Sequence, residues 1–283
     1  LAANIQAGAS KNYALAPPYT GDPTSSATNG DHGTSVAGLI GAVKGNNKGS
    51  RGVAATASLA GLNFLAVQTT ATLIDQADGN FDIFNESWGS GSTAQINIDP
   101  TYLTQLRYGV ASLRAGKGAI YVKAAGNNYG DAVPANMDPF STTPYTINAA
   151  AMNANGVASS YSSNGPSIWI SAPGGEYGVS TPAMITTDQS SCSKGYSQPA
   201  SSVNNFEKGL INLNQTCHYT SGFNGTSSAT PVVSGVIALM LSANPSLTWR
   251  DVKHILAATS RQIHAAAPDI TSQPIAGFPA IPG

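Results

Sequence analysis

FDIFNESW (residues 81–88) and GAIYVKAAG (residues 118–126) are short apolar runs, and TYLTQLRYGVASLRAG (residues 101–116) between them has the spacing of a longer amphipathic helix. Strand, helix and strand in that order predict a crossover unit whose two strands lie parallel in one sheet. The alternation continues upstream. HGTSVAGLIGAV (32–43) sets Val36, Ile40 and Val43 at helical spacing, among small residues that permit close packing against a sheet. KGNNKGSRG (44–52) is a Gly- and Asn-rich loop, SLAGLNFLAV (58–67) predicts a strand buried on both faces, and TTATLIDQAD (69–78) predicts a helix. Downstream, TPYTINAA (143–150) and SIWISAPGG (167–175) read as strands. An insertion from about Ser180 to Ser221 carries both cysteines. ATPVVSGVIALML (229–241), apolar all round, predicts a helix in the middle of the domain, and LTWRDVKHILAAT (247–259) predicts an amphipathic one. The expected fold is therefore α/β, three-layered, with a mostly parallel central sheet flanked by helices, whose strand ends carry the ligands.

Lys11 to Gly30 is rich in Pro, Thr, Ser and Gly and reads as surface loop. The 283 residues suit one large domain, read as residues 1–267, followed by a Pro-, Gly- and Ala-rich, linker-like tail at 268–283. With 13 Lys and Arg against 14 Asp and Glu, the net charge of -1 gives no field to attract nucleic acid. No apolar run approaches the roughly 20 residues of a membrane span, and no signal peptide opens the chain. Only 10% of residues are charged, which suits an exported protein, extracellular or periplasmic, in processed form. Cys192 and Cys217 flank a polar stretch and read as one disulfide formed in an oxidising compartment, the alternative being two free buried thiols.

Three stretches carry chemistry: NGDHGTSVAG around His32, VKAAGNN around Asn127 and FNGTSSATP around Ser227. Ser227 falls in the first turn of the apolar helix, where free N–H groups and the positive dipole end favour developing negative charge. A serine hydroxyl needs a base, and His32 is the histidine embedded in a Gly-flanked helix start, whereas His218, His254 and His264 lie in the cysteine loop, the last helix and the tail. Asn127 ends a buried strand at the carboxyl edge, where its amide can meet a reacting carbonyl; the alternative is a plain turn made by Asn127 and Asn128.

HGTSVAG, AAGN and GTSSATP, in this order, resemble the histidine, oxyanion and nucleophile motifs of the subtilase superfamily, over nearly the whole chain. Within it, KGNNKGSRGV, NESWG, GAIYVKAAGN and LTWRDV are most similar to the kexin and furin branch, here expected as a bacterial member. The resemblance implies a secreted serine endopeptidase acting through an acyl-enzyme, with His32 as base, Ser227 as nucleophile and Asn127 as oxyanion donor. It also implies that Ser87, Trp88 and Gly89 present the backbone edge on which a substrate peptide adds as a strand. Implied partners are protein or peptide substrates, a pro-segment or inhibitor, and a downstream β-sandwich of the kind relatives carry.

Departures qualify the resemblance. The family's triad Asp has no match; Leu1 to Ile5 resembles the segment that follows it in relatives, so the Asp is expected upstream, with Asp22 and Asp31 poor stand-ins. The competing reading is a catalytically inactive subtilase-shaped binding or scaffold domain. NMDPF resembles a segment that supplies an acidic residue to the S1 pocket, here Asp138, the alternative being an Asp-Pro turn. Around SWGSGS the second acidic cluster is replaced, with Ser92 in place of an Asp, so only a modest preference for basic residues before the cut is expected. The chemistry needs no cofactor. A structural calcium below S1 loses most of its ligands, while the loop holding Asn47 resembles another calcium loop, the alternative being an ordinary Gly-rich turn.

Overall fold

The computed structural model describes residues 1–23, 32–92, 94 and 96–263. Among these, the strands β1 (Ile83–Glu86), β2 (Ile120–Ala124), β3 (Thr146–Met152) and β4 (Ile170–Pro173) form one sheet in that order. All three pairings are parallel, with Ile83 beside Ile120, Val122 beside Ile147 and Ala149 beside Ile170. Every residue of β2 is buried, as a strand covered on both faces requires.

Among the described residues five α-helices accompany the strands: α1 (His32–Gly41), α2 (Thr70–Asp75), α3 (Pro100–Ser112), α4 (Thr226–Ala243) and α5 (Trp249–Thr259). Their starts are written locally. Asp99 caps α3 by accepting from the Thr101 and Tyr102 N–H groups ahead of Pro100, and Thr69 and Thr248 form capping boxes on α2 and α5. Helix α4 packs against all four sheet strands and α1. Alternation along the strands sends Asn85 toward α4, where it accepts from Ser234 Oγ. Phe84, Glu86, Tyr121 and Lys123 project to the other face, where Tyr121 Oη donates to Ala77 O and the α3 residue Tyr102 donates to Glu86. Gly109 of α3 sits against the Tyr121 hydroxyl, where a Cβ would collide.

By length and composition α4 could cross a membrane, but 56% of it is buried inside the protein, which marks it as a core helix. It is not buried all round, since Val236 and Leu239 are exposed on its later turns.

Two further sequence expectations change. SLAGLNFLAV is not a doubly buried strand: Leu59 and Leu62 make single parallel bridges to Ile5 and Lys11, then a 3-10 turn spans Phe64–Ala66. Its partner segments are too irregular to extend a ladder, so Phe64 is buried but Leu65 is half exposed. The segment after Lys11 is not all surface, because Tyr13 is 3% exposed and its hydroxyl donates to Asp75. The cysteine insertion carries its own antiparallel ribbon, β5 (Met184–Thr187) with β6 (Tyr219–Phe223). Gly38 of α1 lies so close to Thr186 and Thr187 of β5 that a Cβ would come within 2.4 Å of the Thr186 hydroxyl. Here the small residues of α1 do the packing their sequence implied. Asp31 and the expected tail at 268–283 lie outside the described residues.

Candidate active site

Helix α4 begins in a backbone turn that only glycine adopts without strain: Gly225, its N-cap, has φ +94° and no side chain to cap the first turn. The cap comes from the end of β2 instead. Asn127 Oδ1 accepts from the Thr226 N–H at 2.8 Å and from Thr226 Oγ1 at 3.0 Å, while the Gly126 N–H donates to that hydroxyl at 3.1 Å. This fixes which way the amide points. Its Nδ2 lies beside Gly225, where a Cβ would stand 3.1 Å away. Two motifs about a hundred positions apart thus meet at Ser227, and the Ser227 N–H has no acceptor among the described residues.

The same turn is tied down from behind. The Gly225 N–H donates to Tyr161 Oη at 2.8 Å, and that hydroxyl faces the carbonyls of Gly174 and Gly175 at 2.9 and 2.8 Å. Tyr161 is buried, and burial raises its phenol above the ordinary value, so it stays a neutral donor and acceptor.

Pro231 has no N–H to give the carbonyl of Ser227, four residues earlier in the helix. Ser87 Oγ donates to that carbonyl instead at 3.0 Å and receives from Asn85 Nδ2 at 2.9 Å, while Ser227 Oγ donates to the Ser87 carbonyl at 3.2 Å. The end of β1 and the start of α4 are thereby joined at the half-buried serine. Trp88 and Gly89 continue from Ser87 along a groove of about 350 Å³ that Phe64, Leu73 and Phe140 also line.

His32 opens α1. Its ring packs edge-on against Phe223, 5.4 Å between centroids, and Phe223 ends β6 four residues before Ser227. Helix α1 packs directly on α4 and β5. Hydrogen bonds from Thr186 Oγ1 to Ser35 O and from Thr187 Oγ1 to Thr34 O, both 2.7 Å, hold the first turns of α1 on the ribbon.

Asp138 lies near Gly89 and caps the Asp-Pro turn at Pro139–Ser141, with further partners beyond it. Its Oδ1 accepts from the Phe140 N–H, its Oδ2 accepts from the Ser90 N–H at 3.1 Å, and Lys123 Nζ stands 3.6 Å from Oδ2. Glu86, beside Lys123 in the ladder, accepts from Tyr102 Oη at 2.6 Å, and burial pushes its carboxyl up to about 7 against that bond and the nearby ammonium. Lys123 and Tyr161 escaped the sequence reading. A lysine inside GAIYVKAAG was a visible signal, because a charge on a doubly buried strand must have a partner; nothing local marked Tyr161.

Cys192 and Cys217 are bonded. Asn47 sits at φ +54° in the 44–52 loop, which surrounds a pocket of about 310 Å³ lined by Lys44, Lys48 and Arg51. Three cations and no carboxylate do not by themselves fit a calcium site, and among the described residues no group of three or more His, Cys, Asp or Glu could hold a metal.

A buried parallel sheet packed on one long central helix, with a serine in that helix's first turn and a strand-end asparagine capping it, defines a layered α/β protein. The chain belongs to the subtilase family, whose model matches residues 1–274. It is 36% identical to the extracellular serine protease of Aeromonas sobria over 94% of this chain and 46% of that relative, and 30% identical to mouse furin over 84% of this chain and 27% of furin. The crystal structure of the A. sobria serine protease superposes with a TM-score of 0.85 at 34% identity, covering 94% of this chain and 49% of that one. A second structure shows that protease in complex with a chaperone, with a TM-score of 0.84, 33% identity, and coverage of 94% and 48%. The chain therefore spans less than half the length of these curated relatives.

Proposed function

We propose that residues 1–267 are the catalytic domain of a secreted serine endopeptidase in which Ser227 is the nucleophile, His32 the general base and Asn127 the oxyanion donor. The observation that carries this reading is the Asn127 amide, locked by Thr226 with its donor end beside the start of α4. His32 takes the Ser227 proton as Oγ attacks the scissile carbonyl carbon. The carbonyl oxygen, now negative, is met by the Ser227 N–H and Asn127 Nδ2 at the positive end of the helix. The imidazolium then gives its proton to the departing amine, leaving an acyl-enzyme that water hydrolyses by the same steps in reverse order. Substrate adds as a strand along Ser87, Trp88 and Gly89, which draws the nucleophile hydroxyl away from the Ser87 carbonyl toward His32.

A fluorophosphonate probe tests this directly. Labelling of the full-length protein should vanish in Ser227→Ala and fall by roughly a thousandfold or more in rate in His32→Ala. A full-length protein that never labels would favour the inactive scaffold. The finer readings follow the same family: proteins or peptides as substrates, a pro-segment or chaperone-like protein and a downstream β-sandwich as partners, and a modest preference for basic residues before the cut, carried by Asp138. Paired peptides with Arg or Leu at that position test the preference, equal rates refuting it. Calcium at the Asn47 loop would need a carboxylate beyond the loop itself; chelation that leaves the melting temperature unmoved would exclude it.

A further inference from the structure

Lys123 is the charged residue that a doubly buried parallel strand should least contain. Its side chain is fully buried, and an ammonium removed from water must find charges or dipoles in place of the water it lost. Nζ donates to the Trp88 carbonyl in a short contact and to the Ala124 carbonyl at 3.3 Å, and it stands 3.6 Å from Asp138 Oδ2 and 4.9 Å from the centre of the Trp88 ring. Glu86 also lies on this face, but the ion pair that Lys123 makes is with Asp138. The substrate edge presses on this pair: a Cβ on Gly89 would stand 2.7 Å from Asp138 Oδ2 and 3.7 Å from Nζ. One cation thus grips both the main chain of Trp88 and the carboxylate that the endopeptidase reading places at the floor of S1.

We propose that Lys123 is a specificity-determining positioning residue, an internal counterion that compensates Asp138, so that the S1 pocket accepts uncharged side chains alongside basic ones. The proposal rests on that endopeptidase reading and deepens it. A substrate arginine must compete with Lys123, Ser90 and Phe140 for two carboxylate oxygens, whose remaining exposure is 16% of the side chain. Taking the ammonium away leaves the carboxylate with backbone donors alone, and its field then falls on the substrate.

The test compares kcat/KM for two peptides differing only in Arg or Leu before the cut, with active sites counted by fluorophosphonate. In Lys123→Met the Arg:Leu ratio should rise about tenfold, through a lower KM for the Arg peptide. Lys123→Arg, which keeps the cation, should hold the ratio within about twofold, and Lys123→Met combined with Asp138→Asn should cancel the gain. A ratio that does not move in folded Lys123→Met, or a gain that survives Asp138→Asn, overturns the proposal. Should Lys123→Met fail to fold, Asp138→Asn alone decides. A compensated carboxylate predicts a change in ratio of less than about threefold, and a fall of tenfold or more would mean that Asp138 acts uncompensated. A wild-type protein that neither labels nor cleaves either peptide would instead overturn the endopeptidase reading itself.

Discussion

The sheet buries mostly apolar side chains, among them Phe84, Tyr121, Val122, Ile147 and Ala149, with Glu86 and Lys123 as charged exceptions, whereas the cysteine insertion buries Asp188, Ser197, Glu207, Asn214 and Thr220. The first region is held chiefly by apolar surface removed from water, which has no preferred direction. In the second, each buried group must find a partner. Asp188 accepts from the N–H groups of Gln189, Tyr196 and Ser197, close over Gly195, where φ is +75° and a Cβ would meet the carboxylate. Asn214 donates to Ser197 Oγ and to the carbonyls of Phe206 and Tyr219, and Glu207 accepts from Thr220 Oγ1 and the Ser221 N–H. The bridge between Cys192 and Cys217 closes this network, with Gly209 close enough that a Cβ would stand 3.0 Å from Cys217 Sγ. The contrast shows how a polar loop can become a rigid support: the ribbon it ends in holds α1 from below and packs Phe223 against His32.

If the sheet supplies the chemistry and the insertion supplies support, substitutions in the two regions should separate activity from stability. The largest effect is expected for Asn127→Ala, which removes the proposed oxyanion donor at the sheet edge and should lower kcat by about a hundredfold to a thousandfold. Steady-state kinetics check it, and a loss confined to KM would break the comparison. Replacing both cysteines by serine should cost roughly 3 kcal/mol in urea unfolding, with turnover per folded molecule retained. A large fall in that turnover would show that the insertion takes part in the chemistry. Tyr161→Phe strips the Gly225 N–H of its acceptor and should cost about 1–3 kcal/mol, with a smaller loss of kcat, separable by pairing denaturation with single-turnover rates.

The smallest effect is a pH dependence belonging to the sheet. Burial raises the Glu86 carboxyl from 4.5 to about 7, so the folded protein holds that proton more tightly than the unfolded chain does. Its favourable contribution is complete below pH 4.5 and is lost as pH rises through about 7. Melting temperature should therefore decline across that interval more steeply in the wild type than in Glu86→Gln, and parallel curves would remove Glu86 as the cause.

The strands β1 to β4 and the helices around them were legible because parallel strands are continuous apolar runs and helices repeat at 3.6 residues, patterns that survive in one dimension. SLAGLNFLAV had the same apolar look, but a strand also needs a partner able to form a ladder, and Ile5 and Lys11 each offer one bridge. Tyr13 was hidden because its burial depends on Asp75, 62 positions away. In the candidate site, Asn127 and Ser227 were singled out by motif. The locking of Asn127 by Thr226, the Ser87 hydroxyl standing in for the proline's missing N–H, and the pairing of Lys123 with Asp138 were not.

From its sequence alone this chain determined most of the segments that become strands and helices and marked the few side chains proposed for reactive chemistry, since both depend on neighbours along the backbone. Only the tertiary structure decided how those side chains are oriented and which charges stand opposite one another. Hydrogen bonds and ion pairs act over a few ångströms between residues that may be separated by a hundred positions, and no local pattern encodes which two will meet.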